Sequence, residues 1–233
     1  MPAMLDDPTS PPILRAIDPS PAIAPRHVTL RNGARATILA FKSPAQPPGP
    51  VVSLLCSTLA AEVRSGDTYP MADALPLATF GPYWFGTFAA VMFLGTWGGA
   101  AEVEAAVGGA GGRGWEEVVL GSFYVKPNYP GRSSHVCNGG FLVAEEKRGL
   151  GVGGHLGRAY LAWAPRLGYE YSVFNLVYET NTASLRIWDS LGFERIGRVK
   201  KCGRLRSFPD RKIDAIVYGY DFEEAAKRAQ EES

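Results

Sequence analysis

Three cysteines in 233 residues, Cys56, Cys137 and Cys202, are odd in number and far apart, which excludes a disulfide framework. They make no metal centre either: His135 and Cys137 are near neighbours, but two further ligands at useful spacing are missing. Buried or partly buried thiols are expected, and no metal. An excess of charge of one sign is also lacking, because 24 Lys and Arg stand against 23 Asp and Glu, a net charge of +1. No global field therefore calls for nucleic acid or an acidic membrane as partner. The strongest apolar stretch, Tyr83 to Trp97, is interrupted by Gly86 and Gly95 and is too short to span a bilayer. The first residues lack the basic start and continuous apolar core of a secretory signal, since Asp6, Asp7 and several prolines stand there. A cytoplasmic protein is expected, with the mitochondrion and nucleus left open.

What remains is ordinary globular composition, 46% hydrophobic and 20% charged, in a chain that suits one domain with decorations. Residues 1–26 read as a Pro-rich arm, 27–222 as the domain, 98–114 as a Gly-rich insertion poor in core residues, and 223–233 as a tail with a short solvated helix. Within the domain, His27 to Phe41 alternates around Asn32-Gly33, the strongest hairpin signal in the chain. Helical spacing marks Val51 to Val63, with a second short helix over Ala74 to Phe80. Strands are predicted at Phe88 to Leu94, Glu116 to Val125, Val136 to Val143, Tyr171 to Tyr178, Arg195 to Val199 and Ala215 to Tyr220. Two more helices are predicted, one carrying Val152, Leu156, Tyr160 and Trp163, the other running from Thr182 to Leu191 and burying Ala183, Ile187 and Leu191. If the first of them joins the Val136 and Tyr171 strands, those strands are parallel.

The most informative segment is Arg148-Gly-Leu-Gly-Val-Gly153, set between a strand and a helix. Glycines let the backbone turn tightly with successive N–H groups facing one concavity, and the following helix adds its unpaired first-turn donors, so such a loop holds a pyrophosphate. Gly149, Gly151 and Gly154 also satisfy the dinucleotide pattern GxGxxG, but that fingerprint follows its strand directly, whereas Ala144 to Lys147 intervene here.

Arg148-x-x-Gly151-x-Gly153 instead resembles the coenzyme A loop of the GCN5-related N-acetyltransferase (GNAT) superfamily, and Asn181-x-x-Ser184-x-x-x-Trp188-x-x-x-Gly192-Phe193 resembles a second signature of that superfamily. Phe123 to Gly131, His135 to Phe141, Ser172 to Val177 and Ile187 to Phe193 narrow the resemblance to the yeast proline-analogue acetyltransferases. The resemblance implies an α/β (α+β) fold, with a mixed, mostly antiparallel sheet flanked by helices and splayed between two central parallel strands. It implies acetyl-CoA as co-substrate, a small amino or imino acid as acceptor, and a homodimer. Arg148, Gly149, Gly151, Val152 and Gly153 would take the pyrophosphate, Asn181 and Ser184 the pantetheine arm, and N–H groups around Phe141, Leu142 and Val143 the thioester oxygen. Asn138 and Asn175 become the catalytic and substrate-binding asparagines, with the Leu176 N–H beside them. An amide is not a useful base, so Asn138 can only orient the amine or a water; His135 is a weaker candidate for a base. Lys126 and Arg132, on a loop beside the substrate mouth, are candidates to attract a carboxylate. Many members carry a tyrosine where Trp188 stands, and indole is no practical acid, leaving Tyr178, Tyr171 or solvent to protonate the thiolate. Two alternatives stay open: a protein amine such as a histone lysine as acceptor, and a non-catalytic acyl-CoA sensor.

Overall fold

The computed structural model describes residues 23–108 and 114–231, so most of the Pro-rich arm, the centre of the Gly-rich insertion and the last two residues lie outside the described residues. β1 (Arg26–Thr29) and β2 (Arg35–Phe41) form the hairpin that Asn32-Gly33 announces. Gly33 takes φ +83°, and the Asn32 side-chain oxygen accepts from the Ala34 N–H at 3.1 Å. α1 (Gly49–Ser65) buries Val51, Leu55, Leu59 and Val63, one stripe at the helical repeat, and stops at Gly66 with φ 74°. After it come α2 (Leu77–Phe85), β3 (Ala89–Leu94), α3 (Ala100–Gly108), α4 (Trp115–Val118) and β4 (Val119–Pro127). β5 (Val136–Val143), α5 (Val152–Trp163) and β6 (Tyr171–Tyr178) have the predicted extents, and α6 (Thr182–Ser190), β7 (Glu194–Gly203), β8 (Ile213–Asp221) and α7 (Phe222–Glu231) complete the order.

The strands make one sheet in the order β1-β2-β3-β4-β5-β6-β8-β7. Every neighbouring pair is antiparallel except β5 and β6, as their connection through α5 requires. Two apolar cores lie on its two faces. One gathers α1 and α2 against Leu39, Val91, Phe93, Tyr124 and Leu142; the other gathers Leu156, Tyr160 and Trp163 of α5 and Trp188 of α6 against Phe123, Phe174 and Tyr218. Among the described residues no helix is long and apolar enough to cross a membrane.

Several expectations shift. The second helix starts at Leu77 after Pro76 and carries Pro82 inside it, because Phe80 and Trp84, one turn apart and stacked at 5.7 Å, must both face the α1 core. Glu116 to Val118 is a helical turn, not strand, closed by the Gly114 carbonyl accepting from the N–H groups of Glu117 and Val118. The Gly-rich segment is helical over Ala100–Gly108 and places Val103 fully in the core, so it contributes more than its composition suggests. α6 buries Trp188, while Ala183 is exposed and Ile187 and Leu191 are half-buried. Cys202 is exposed, unlike Cys56 and Cys137.

Candidate active site

β5 and β6 pair through only two residue positions, Val136 with Tyr171 and Cys137 with Ser172, and then part. The opening continues into a cleft of about 1270 Å³ that runs from Asn138 along β5 to the glycine loop and back along α6 to Asn181. Phe141, Leu142 and Val143 line it from β5, and Phe174, Leu176 and Tyr178 from β6. The Phe141 ring turns away onto the α5 face, packing on Phe123 (5.6 Å), Phe174 (5.8 Å) and Trp188 (4.7 Å), which anchors the strand edge. Gly140 is required here, since a Cβ on it would stand 2.3 to 2.9 Å from the Tyr124 ring and hydroxyl.

At the far end, a 3-10 turn over Glu145–Lys147 separates β5 from the glycines, the feature that argues against a dinucleotide fingerprint. Gly151 caps α5 with φ 88°, a conformation that L side chains rarely adopt, and so turns the first-turn N–H groups of α5 toward the cleft. Arg148 is half exposed and forms an ion pair with Glu62 of α1. The β1–β2 turn also reaches this loop: the Arg31 N–H donates to the Leu150 carbonyl at 3.0 Å, and the Arg31 side chain lies against Gly151. Asn181 and Ser184 line the opposite wall, and Asn181 caps α6, its side-chain oxygen accepting from the Ser184 N–H at 3.2 Å. Trp188 is both core and wall, 5% exposed and lining the cleft. These donors and the split strand edge fit a pyrophosphate joined to an extended, amide-bearing arm. Among the described residues no group of three His, Cys, Asp or Glu is placed to hold a metal ion.

At the inner end Asn138 lines the cleft, whereas the Asn175 expected beside it does not, and a third asparagine joins the two. Asn138 on β5 is fully buried, and its Nδ2 donates to Asn128 Oδ1 at 3.0 Å. Asn175 donates to the same oxygen at 2.6 Å and accepts from Asn128 Nδ2 at 3.1 Å. Asn138 Oδ1 is buried with no hydrogen-bond partner among the described residues. Asn175 and Leu176 lie where the β6–β8 register shifts between Phe174 and Val177, a bulge that takes these two residues out of the regular ladder.

Other candidates fall elsewhere. His135 is exposed and is not among the cleft residues. Lys126 belongs to β4, opposite Asn138, and is 8% exposed with Nζ over the Tyr83 ring at 3.8 Å and the Tyr124 ring at 4.5 Å, so it is no solvated loop lysine. Arg132 is exposed in a 3-10 turn. Tyr171 does not line the cleft, whereas Tyr178 does, and burial pushes the Tyr178 hydroxyl above its ordinary pKa. Sequence reading missed Tyr69, on the connection between α1 and α2. Its hydroxyl donates to the Phe141 carbonyl at 2.9 Å, and burial, then the neighbouring Tyr83 and Glu62, holds it protonated well above the usual tyrosine range. No periodic signal marks that connection; only a contact across the fold brings it to β5.

The split sheet and glycine loop define an acyl-CoA type of cleft, and comparison agrees: the pattern of the Acetyltransferase (GNAT) family matches residues 77–193, and the chain belongs to that family. Over 108 residues it is 52% identical to the N-acetyltransferase aca1 of Schizosaccharomyces pombe, a stretch covering 46% of this chain and 51% of that one, so the match spans about half the length of this relative. Among solved structures, a GCN5-related N-acetyltransferase from Kribbella flavida superposes with TM-score 0.62 at 25% identity, over 79% of this chain and 97% of the other. The yncA protein from Salmonella typhimurium, solved with acetyl-CoA, superposes with TM-score 0.61 at 14% identity, over 80% and 95% of the two chains, and shares the fold.

Proposed function

We propose that the protein transfers an acetyl group from acetyl-CoA to the amine of a small amino or imino acid, such as a proline analogue, by direct attack in a ternary complex. The observation that carries the acceptor class is Asn138 Oδ1, a neutral, buried acceptor at the inner end of the cleft with no partner among the described residues. A lone acceptor of this kind suits one N–H of an amine that must be uncharged to react. The Asn175–Leu176 bulge beside it offers a backbone N–H for a carboxylate.

The chemistry then follows from placement. The amine nitrogen attacks the thioester carbon, and N–H groups of the β5 edge around Phe141 to Val143 stabilise the negative oxygen of the tetrahedral intermediate. The C–S bond breaks, the nitrogen loses its proton, and the coenzyme A thiolate gains one. Tyr178 and Tyr69 are both cleft residues with phenols that burial keeps protonated, and either, or solvent, can return that proton. Arg148, Gly149, Gly151, Val152 and Gly153 hold the pyrophosphate in this reading, and Asn181 and Ser184 the pantetheine arm. A thiol-release screen of acetyl-CoA with azetidine-2-carboxylate, other cyclic amino acids, polyamines and histone peptides tests it. Turnover with the cyclic amino acids is expected. Turnover with histone peptides alone would sink the small-acceptor reading, and acetyl-CoA binding with no turnover at all would favour a sensor.

A further inference from the structure

We propose that Asn128 is a positioning residue for this transfer: it holds Asn138 so that Oδ1, and not Nδ2, is offered to the substrate amine. The inference rests on the small-amine reading of the site.

Asn128 directly follows β4, is 2% exposed, and is pinned by its own N–H donating to the Val136 carbonyl at 2.7 Å. Its side chain is the hub of the three amides. Asn128 Oδ1 accepts from Asn138 and from Asn175, and its Nδ2 donates to Asn175 Oδ1. An amide has one oxygen and one nitrogen end, so the orientations are coupled. While Asn128 turns its oxygen to Asn138, Asn138 must answer with Nδ2, because the reverse would set two carbonyl oxygens against each other. That leaves Asn138 Oδ1 with no donor among the described residues.

The orientation matters chemically. The lone pair of the amine must be free to attack, and an oxygen accepting from an N–H leaves it free. An Nδ2 in that position would donate into the same lone pair and hold the amine in a dead end. Asn175, with both side-chain atoms engaged by Asn128, acts through the hub rather than directly on the reacting nitrogen.

Two substitutions separate this role from a merely structural one. Asn128→Leu removes the hub at similar volume. Asn128→Asp leaves a carboxylate that still accepts from Asn138 and so keeps the same Asn138 orientation, while Asn175 Oδ1 loses the donor it takes from Asn128 Nδ2 and must turn away. The first readout is the side-chain amide resonances of Asn138, assigned by their loss in Asn138→Val. They are expected to change in Asn128→Leu and to persist, hydrogen-bonded, in Asn128→Asp. The second readout is kinetics with azetidine-2-carboxylate. kcat should fall by about 10- to 100-fold in Asn128→Leu, the range for losing one positioned polar group, while the acetyl-CoA Kd stays near wild type and Asn128→Asp keeps a higher kcat than Asn128→Leu. Unchanged Asn138 resonances in Asn128→Leu, or their loss in Asn128→Asp, would overturn the inference, as would a kcat equal to wild type in folded Asn128→Leu. If Asn128→Leu does not fold, Asn128→Asp alone decides through the resonances. A wild-type protein that acetylates no small amine would defeat the functional reading instead, and the resonances would still judge Asn128.

Discussion

At the scale of single residues, the role proposed for the buried amide of Asn138 would separate binding from turnover. Asn138→Ala removes the acceptor offered to the amine but touches none of the glycine loop. kcat is therefore expected to fall by about one to three orders of magnitude, with acetyl-CoA affinity by calorimetry nearly intact. Equal loss of both would place Asn138 in the cofactor site. An orientation-only role for Asn138 has its own signature. With orientation alone, kcat/KM should climb with pH toward the pKa of the amine rather than level off near about 6.5, the histidine value. Two cyclic amines of different basicity should give two different profiles, and His135→Ala should leave both unchanged, since His135 is exposed and away from the cleft. An inflection that ignores the amine and vanishes in His135→Ala would reverse the assignment.

At the scale of elements, the start of α5 is where sequence dictates chemistry most directly. Gly151→Glu would place a side chain at φ 88°, against Arg31, and a negative charge where the first-turn N–H groups attract an anion. Acetyl-CoA binding should be abolished in a protein that still folds; calorimetry on Gly151→Glu with unchanged affinity would refute the loop assignment. Arg148→Ala should only weaken binding, because that guanidinium is shared with Glu62. The same elements show what could be read in advance. β5, α5 and β6 were legible to the residue because each is a distinct apolar run, the two strands short and the helix at the helical repeat, with Pro165 closing α5. The direct convergence of Asn138 and Asn175 expected from neighbouring strands is replaced by a link through Asn128, because the strands part before reaching them. Asn128, Tyr69 and Arg31 were not legible, because each arrives from a connection whose local pattern says nothing about the strand or loop it meets. α2 slipped because proline marks both a start at Pro76 and a tolerated interior at Pro82. The helix at Ala100–Gly108 was hidden by glycine and alanine, and a single valine, Val103, ties it to the core.

At the scale of the whole molecule, buried phenols make the fold sensitive to alkali. Burial, and then the hydrogen bond to Asp189, pushes Tyr218 from 10.0 up to about 12, and burial also carries Tyr160 and Tyr69 well above their ordinary value. A group whose folded pKa is raised stabilises the fold fully below its unfolded pKa and loses that contribution as pH rises toward the folded value. For Tyr218 the window runs from 10.0 to about 12. The melting temperature should drop across it, and Tyr218→Phe should drop less steeply; an equal slope in both would remove Tyr218 as a cause. The parting of β5 from β6 after two pairs has a further consequence. Backbone amides on the inner edge of the seam have no ladder partner, so in the free protein they should exchange with deuterium far faster than those of β3 and β4, at the centre of the same sheet. A bound arm that pairs with this edge would close the seam. Protection would then spread from β5 across to β6, and the two halves of the sheet would be tied along the length of the seam.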